Sequence, residues 1–95
     1  MINAMIIDDQ DNVAVAIEEI KAGDDVTYVT KSGEVTIKAL EDVTIYHKIA
    51  TTDIKKGEPI VKYGEHIGIA GCDIKVGGYV HVHNVESHRE DLEAK

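Results

Sequence analysis

A short motif occurs three times in this chain of 95 residues and sets most of its organisation. The segments EEIKAGDDV, TDIKKGEPI and CDIKVGGYV share the order acidic, Ile, Lys, variable, Gly, with an apolar residue three positions after the glycine. Glycine adopts backbone angles that are costly for other residues, and an isoleucine can anchor a turn in the core. We therefore predict one type of tight turn, used three times, each copy leading into a strand. The isoleucines are Ile20, Ile54 and Ile74, and the glycines are Gly23, Gly57 and Gly77.

The segments between these turns have the pattern of short strands. Residues 25–30 (DVTYVT) and 34–40 (EVTIKAL) alternate apolar and polar side chains, and KSG between them indicates a hairpin turn. The core residues are mostly Ile, Val and Ala, with no Phe or Trp, and β-branched residues favour pleated sheets. We predict a small all-β domain over residues 1–85, with short bent strands, and a polar tail over 86–95 that can form a short helix. Further predicted strands are 3–7, 12–17, KIAT, PIVKYG, HIGIAG and YVHVHNV.

Single glycines and the one proline refine this picture. Gly64, Gly68 and Gly71 lie inside or beside predicted strands, where glycine indicates a bend or a close backbone approach. Pro59 stands at a strand entrance, where its missing N–H is tolerated.

The composition limits the classes of partner. The formal charge of −8 at pH 7 opposes binding to nucleic acid or to anionic membranes, because both carry negative charge. No apolar run is long enough for a membrane-spanning helix, and the first residues lack the pattern of a secretory signal. The single cysteine, Cys72, fits a reducing compartment, so we expect a cytoplasmic protein. We interpret Cys72 as a small packed residue rather than a nucleophile.

The pair His81 and His83 is the first candidate site. On a strand, residues i and i+2 lie on one face about 6 to 7 Å apart, so two imidazoles can converge on one metal ion. A catalytic zinc site usually has three protein ligands, and spacing alone therefore favours two structural or solvated histidines over a site. The same alternation places Tyr79 beside the pair and turns Val80 and Val82 towards the core.

Two further segments are candidates. His47 and Lys48 lie in a predicted turn before a strand, where an exposed histidine is also ordinary. Lys62, followed by Tyr63, is a cation in an acidic chain and is suited to holding a carboxylate or phosphate group, although a solvated face explains it equally well.

Taken together, these segments resemble a known family. The ordered series HK, KYG, IG and HxHN, within DNVAVAIEEIKAGD and HKIATTDIKKGEPIVKYGEHIGIAGCDIKVGGYVHVHN, resembles the small N-terminal domain of the altronate and galactarate dehydratases. The resemblance covers roughly residues 11–85 and implies a SAF-type domain with a β-clip fold. Those enzymes dehydrate sugar acids to 2-keto-3-deoxy acids with a divalent metal, commonly iron. Most of their catalytic machinery lies in a large C-terminal domain. Sulfolactate sulfo-lyase is a relative divided into small and large subunits.

The resemblance implies roles for individual residues. We expect this chain to be a small subunit or N-terminal domain that completes the active site of a large partner acting on a sugar acid, with the metal bound mainly by that partner. Gly71, Cys72 and Val85 depart from the usual family pattern and leave the substrate open. The expected catalytic residues are His47, His81 and His83, the expected substrate-binding residues are Lys48, Lys62, Tyr63 and Asn84, and the expected metal ligands are His81 and His83.

Three alternatives stay open. The chain could be a non-catalytic SAF-type binding module for a small sugar acid or a protein, the small subunit of a sulfolactate sulfo-lyase, or a purely structural domain with incidental histidines. Association with further copies of itself is also open.

Overall fold

The computed structural model describes residues 2–86, and all of the regular secondary structure in that range is β. The predicted all-β class is therefore confirmed. The helix predicted for the polar tail falls on residues 87–95, outside the described range. Within residues 2–86 no helix is long and apolar enough to cross a membrane. The strands are β1 (Ala4–Met5), β2 (Val13–Ala16), β3 (Asp25–Thr30), β4 (Gly33–Lys38), β5 (Lys48–Ala50), β6 (Pro59–Lys62), β7 (Glu65–Ala70), β8 (Tyr79–Val80) and β9 (Val85–Glu86).

These strands form three antiparallel sheets. One has the order β1-β2-β5-β8, a second is the hairpin β3-β4, and a third has the order β6-β7-β9. The hairpin pairs Thr30 with Gly33 across a two-residue turn, as the KSG segment predicted. One strand prediction is wrong, because YVHVHNV is not a single strand. It divides into β8, a turn and β9.

The three predicted turns are present and share one geometry. Their isoleucines are buried, and Gly23, Gly57 and Gly77 have φ angles of 90°, 89° and 90°. These angles lie in the left-handed region, which explains why glycine recurs at that position. Ile54 pairs with Ile74 through two backbone hydrogen bonds of 2.7 Å.

A fourth copy of the turn was missed. Ile20 pairs in the same way with Val43, which lies in the segment ALEDVTIYHKI at residues 39–49. There, Tyr46 takes the place of the glycine, with a φ angle of 72°. In all four copies this residue donates its N–H to the carbonyl of a buried alanine in the partner turn, at 2.7 or 2.8 Å. The pairs are Gly23 to Ala39, Tyr46 to Ala16, Gly57 to Ala70 and Gly77 to Ala50.

The acidic residue of the motif also has a structural function. In three copies its carboxylate accepts a backbone N–H from the partner turn at 2.8 to 2.9 Å. Such side-chain acceptors satisfy donors that a tight turn would otherwise leave unpaired. The donor–acceptor pairs are Ala22 to Asp42, Lys56 to Asp73 and Val76 to Asp53.

Each pair of turns encloses its own hydrophobic cluster. The first cluster contains Ile20 and Val43, and the second contains Ile54 and Ile74. The short strand β5 joins the two, because Ile49 belongs to the first cluster and Ala50 to the second. The residues just before and at the start of β5 are thereby held on a rigid element between the cores.

Local predictions for single residues have mixed outcomes. Pro59 begins β6, as expected. A Cβ atom on Gly68 would lie 2.6 Å from the Val85 side chain, which confirms a close approach there. Cys72 is exposed, so its interpretation as a packed residue is wrong. It lies in the bend before Ile74, where only the isoleucine turns into the core.

Candidate functional site

The segment from His81 to Asn84 forms a tight turn rather than a strand. The Asn84 side chain is only 8% exposed, accepts the His81 N–H at 3.0 Å and donates to the Tyr79 carbonyl at 2.8 Å. Asparagine side chains compete in this way with the hydrogen bonds of a sheet and so end a strand. Val82 consequently lies at the turn, 80% exposed, and its predicted place in the core is wrong. Both polar atoms of the Asn84 amide bind backbone, and substrate binding by this residue stays a prediction.

The pairing of β5 with β8 brings His47 to His81. Lys48 is opposite Val80 and Ile49 is opposite Tyr79, so the next position along the two chains juxtaposes His47 and His81. Their ring centroids are 4.2 Å apart with an interplanar angle of 17°. Two histidines 34 positions apart in sequence thus form a stacked pair.

Tyr79 completes this group of rings and was not predicted as a site residue. Its hydroxyl lies 2.5 Å from Nδ1 of His47, and its ring centroid lies 5.6 Å from that of His81 and 5.3 Å from that of His83. The available signal was its i, i+2 spacing to His81, which places both side chains on one face near the end of β8. We call His47, Tyr79, His81 and His83 the ring cluster.

Lys48 lies next to the ring cluster, and Lys62 lies near Lys48. Lys48 is half-buried, and burial followed by the positive charge of nearby Lys62 lowers its pKa. Lys62 also lies over the Tyr63 ring, 4.9 Å from its centroid. Tyr63 and Gly64 have φ angles of 57° and 76° and form the two-residue turn between β6 and β7. The structure therefore groups the HK and HxHN motifs and places Lys62 beside Lys48.

A shallow pocket of about 290 Å³ opens beside the cluster. Lys48 and His81 provide its cationic and imidazole groups, while most of the remaining wall is apolar. A small carboxylic acid fits this combination of chemistry. A larger cleft of about 600 Å³ beside β3 contains none of the predicted site residues. The remaining wall of the smaller pocket consists of Ile67, Val82, Val85 and Glu86.

The environment keeps His81 neutral. Partial burial, together with the positive potential of His47, Lys48 and His83, lowers the pKa of the His81 imidazole below its ordinary value. A histidine with a lowered pKa is unprotonated at neutral pH. It therefore offers a lone pair for a hydrogen bond or a proton.

This charge effect can be measured by following the histidine resonances by NMR as a function of pH. We expect His81 to titrate below the ordinary histidine value, and Lys48→Gln to raise its pKa because one neighbouring positive charge is removed. Lys31→Gln serves as the control, since Lys31 pairs with Asp9 in the region of the β3–β4 hairpin. An unchanged His81 titration in Lys48→Gln would show that the lysine does not act on the imidazole.

The stacked histidines do not fit a shared metal ion. The nitrogen lone pairs lie in the ring planes, and two near-parallel planes 4.2 Å apart at their centroids cannot both direct a lone pair to an ion about 2.0 to 2.1 Å from each nitrogen. Among the residues the structure describes, no group of three or more His, Cys, Asp or Glu side chains could hold a metal. A complete metal site therefore needs ligands beyond these residues, and metal binding by His81 and His83 stays a prediction.

The comparison with known proteins identifies a family that covers the whole of the described range. Residues 2–88 match the family model described as the altronate/galactarate dehydratase SAF domain. The chain is 41% identical over 83 residues to altronate dehydratase of Escherichia coli and 38% identical over 84 residues to that of Bacillus subtilis. These matches cover 87% and 88% of the chain but only 16% of each relative.

Relatives of similar size are also found. The chain is 32% identical over 88 residues to (2R)-sulfolactate sulfo-lyase subunit alpha of Chromohalobacter salexigens, covering 88% of this chain and 94% of that subunit. It is 42% identical over 53 residues to the same subunit of Paracoccus pantotrophus, covering 56% of this chain and 79% of that subunit. The matched sequence region is thus a small part of the long relatives and most of the short ones.

Proposed function

The chain belongs to the altronate/galactarate dehydratase SAF domain family, and from this premise we propose that it supplies one face of a lyase active site that a larger domain or subunit completes. The matched altronate dehydratases are about six times longer than the shared region, so most of such an enzyme lies outside it. Both sulfo-lyase relatives carry the word subunit in their names, and the one from Chromohalobacter salexigens has nearly the length of this chain. Both observations support a partner.

The observation that carries the proposal is the position of the positive groups. The chain has a net charge of −8, yet Lys48 and His81 line one pocket, and Lys62 lies close enough to Lys48 for its positive charge to lower the Lys48 pKa. A positively charged site on an otherwise acidic chain favours an anionic ligand, because the rest of the surface repels anions. A sugar acid carries the carboxylate that such a site recognises.

The chemistry of dehydration suits these side chains. A base removes the proton next to the carboxylate, the C–O bond at the adjacent carbon breaks, and an acid protonates the leaving hydroxyl so that it departs as water. The resulting enol then becomes a 2-keto acid. Neutral His81 is suited to accept a proton, and Lys48 or Lys62 to hold the carboxylate. This assignment gives the chain a binding and proton-handling role, and the metal expected from the family belongs to the partner.

A sulfolactate sulfo-lyase is the second candidate function. The match that covers 94% of a sulfo-lyase alpha subunit favours it, because the shared region makes up nearly all of that subunit. Sulfolactate carries a carboxylate and a sulfonate, and both are anions that the same lysines would hold. The two candidates differ in the leaving group and therefore in the product to be measured.

Reconstitution with a large subunit tests the proposal. We expect the mixture to form 2-keto acids from altronate or galactarate, or to release sulfite from sulfolactate, at a rate well above that of the large subunit alone. A rate no higher than that of the large subunit alone would contradict the proposal. Calorimetric titration of the isolated chain with the same acids is the companion measurement, since tight binding without a partner would favour a non-catalytic binding module.

A further inference from the structure

We propose that Tyr79 is a positioning residue, whose hydroxyl holds His47 in the neutral form that carries its proton on Nε2. His47 then presents a hydrogen-bond donor to an oxygen of the substrate. The tautomer follows from the geometry of this chain alone. The role towards substrate rests on the proposed lyase function.

The backbone of Tyr79 is fixed on both sides. Its N–H donates to a carboxylate oxygen of Glu41 at 3.0 Å, and its carbonyl accepts the amide N–H of Asn84 at 2.8 Å. Its strand pairs with β5 through Ile49, which is fully buried. A hydroxyl on such an anchored residue has a defined position relative to β5, and His47 directly precedes that strand.

The two rings meet edge to edge rather than face to face. The Tyr79 oxygen lies 2.5 Å from His47 Nδ1, and the ring planes are within 5° of parallel. The hydroxyl oxygen lies in the plane of the Tyr79 ring, and Nδ1 lies in the plane of the imidazole. The two near-parallel planes are therefore at most 2.5 Å apart at this point, which is closer than the faces of stacked rings approach. With ring centroids 5.8 Å apart, the hydroxyl is within hydrogen-bonding distance of the imidazole edge at Nδ1 and does not stack on the imidazole face.

The chemistry of the two groups decides the direction of the hydrogen bond. A phenol O–H is a good donor and its oxygen a weak acceptor, whereas an unprotonated imidazole nitrogen is a strong acceptor. Tyr79 therefore donates to Nδ1, and a neutral imidazole that accepts at Nδ1 carries its proton at Nε2. The partner of one ring nitrogen in this way sets the protonation of the other.

The stacking on His81 fixes the remaining freedom of the ring. The centroid separation of 4.2 Å brings the faces of His47 and His81 into contact, while Tyr79 holds the edge of His47. A ring held at one face and one edge presents its remaining nitrogen in a constant direction. Such preorganised donors contribute to catalysis because they need no reorientation when charge develops on the substrate.

The tautomer is measured directly by long-range proton–nitrogen NMR correlation on the full chain at about pH 8, where histidines are neutral. We expect the wild-type His47 to show an unprotonated Nδ1 and a protonated Nε2. Tyr79→Phe removes the hydroxyl and keeps the ring, and we expect His47 to change to a mixture of tautomers. Wild-type His47 with a proton on Nδ1, or an unchanged tautomer in Tyr79→Phe, would overturn the inference.

Tyr28→Phe is the matched control. Tyr28 is buried, and its hydroxyl bonds to Thr51. Like Tyr79→Phe, this substitution removes one phenol hydroxyl from the fold, but it leaves the ring cluster unchanged. We expect it to alter stability and not the His47 tautomer, so a change in both variants would show a general effect of the fold.

The reconstituted lyase provides the second measurement. Loss of a group that orients a catalytic histidine typically costs 10-fold to 100-fold in activity, and we expect about this fall in kcat for Tyr79→Phe with little change in KM. Wild-type kcat in the variant would overturn the positioning role. If no partner restores activity to the wild-type chain, the proposed function fails, whereas the NMR result still decides the tautomer.

Discussion

The His81→Ala variant is expected to lower kcat of the reconstituted lyase by about 100-fold to 10,000-fold, the usual contribution of a positioned acid or base. His81 stacks on His47, it borders the pocket, and its lowered pKa keeps its lone pair free at neutral pH. Its side chain is half-exposed, and the turn is held instead by its backbone N–H bound to Asn84. The substitution should therefore remove chemistry without unfolding the domain.

Two controls make the His81→Ala result specific. The first is thermal unfolding of the isolated variant, which should lie close to that of the wild type. The second is Lys31→Ala, which removes an exposed side chain whose ion pair is with Asp9, and whose reconstituted activity should match the wild type. Full activity in His81→Ala would mean that the histidines are incidental and that the domain serves its partner only as a scaffold.

The pH dependence provides an independent check on this role. Since the folded-state pKa of His81 is lowered, the imidazole is neutral over the whole range above that value. The activity of the lyase should fall only as the pH decreases through the lowered pKa, and the Lys48→Gln variant should lose activity at a higher pH than the wild type. These shifts would identify the titrating group as the base near Lys48.

The turns were predictable because they depend on local chemistry. Gly23, Gly57 and Gly77 each mark a left-handed residue, and the sequence shows such positions directly. The fourth turn was missed because Tyr46 occupies the same backbone angle without being glycine. Only the long-range hydrogen bond from Tyr46 to Ala16 shows that it belongs to the same set.

The candidate site was predictable only in part, because it also depends on contacts between residues that are far apart in the sequence. The spacing of His81 and His83 and the resemblance of the motifs selected most of the residues. The stack depends on the register between β5 and β8, which places His47 opposite His81 across 34 positions of sequence. The turn that exposes Val82 depends on the side-chain hydrogen bonds of Asn84, and strand alternation does not reveal them.

The contrast between Gly77→Ala and Gly57→Ala is the second large expected effect. The two glycines occupy the same position of the same turn, with φ angles of 90° and 89°, and their N–H groups make equivalent hydrogen bonds. Alanine in this left-handed region costs about 1 to 2 kcal/mol, and that cost applies to both variants. A difference between them must therefore come from their surroundings.

Those surroundings differ sharply. A Cβ atom on Gly57 would meet nothing within 4 Å, whereas one on Gly77 would lie 2.0 Å from the backbone carbonyl oxygen of Lys38. Gly77 also accepts the Leu40 N–H at 2.9 Å, so the two backbone segments cannot separate without losing a hydrogen bond. We expect Gly77→Ala to lower the free energy of unfolding by about 4 kcal/mol or more, as severe backbone overlap does.

Urea unfolding of both variants distinguishes the two contributions. Gly57→Ala should keep a cooperative transition at a moderately lower midpoint, while Gly77→Ala should unfold at a much lower urea concentration or show no folded baseline. Equal losses in the two variants would mean that the φ angle alone makes glycine necessary. A larger loss at Gly77 would show that the turn containing Gly77 is packed against the end of β4, and that this contact holds the strand that carries Tyr79 in place for the ring cluster.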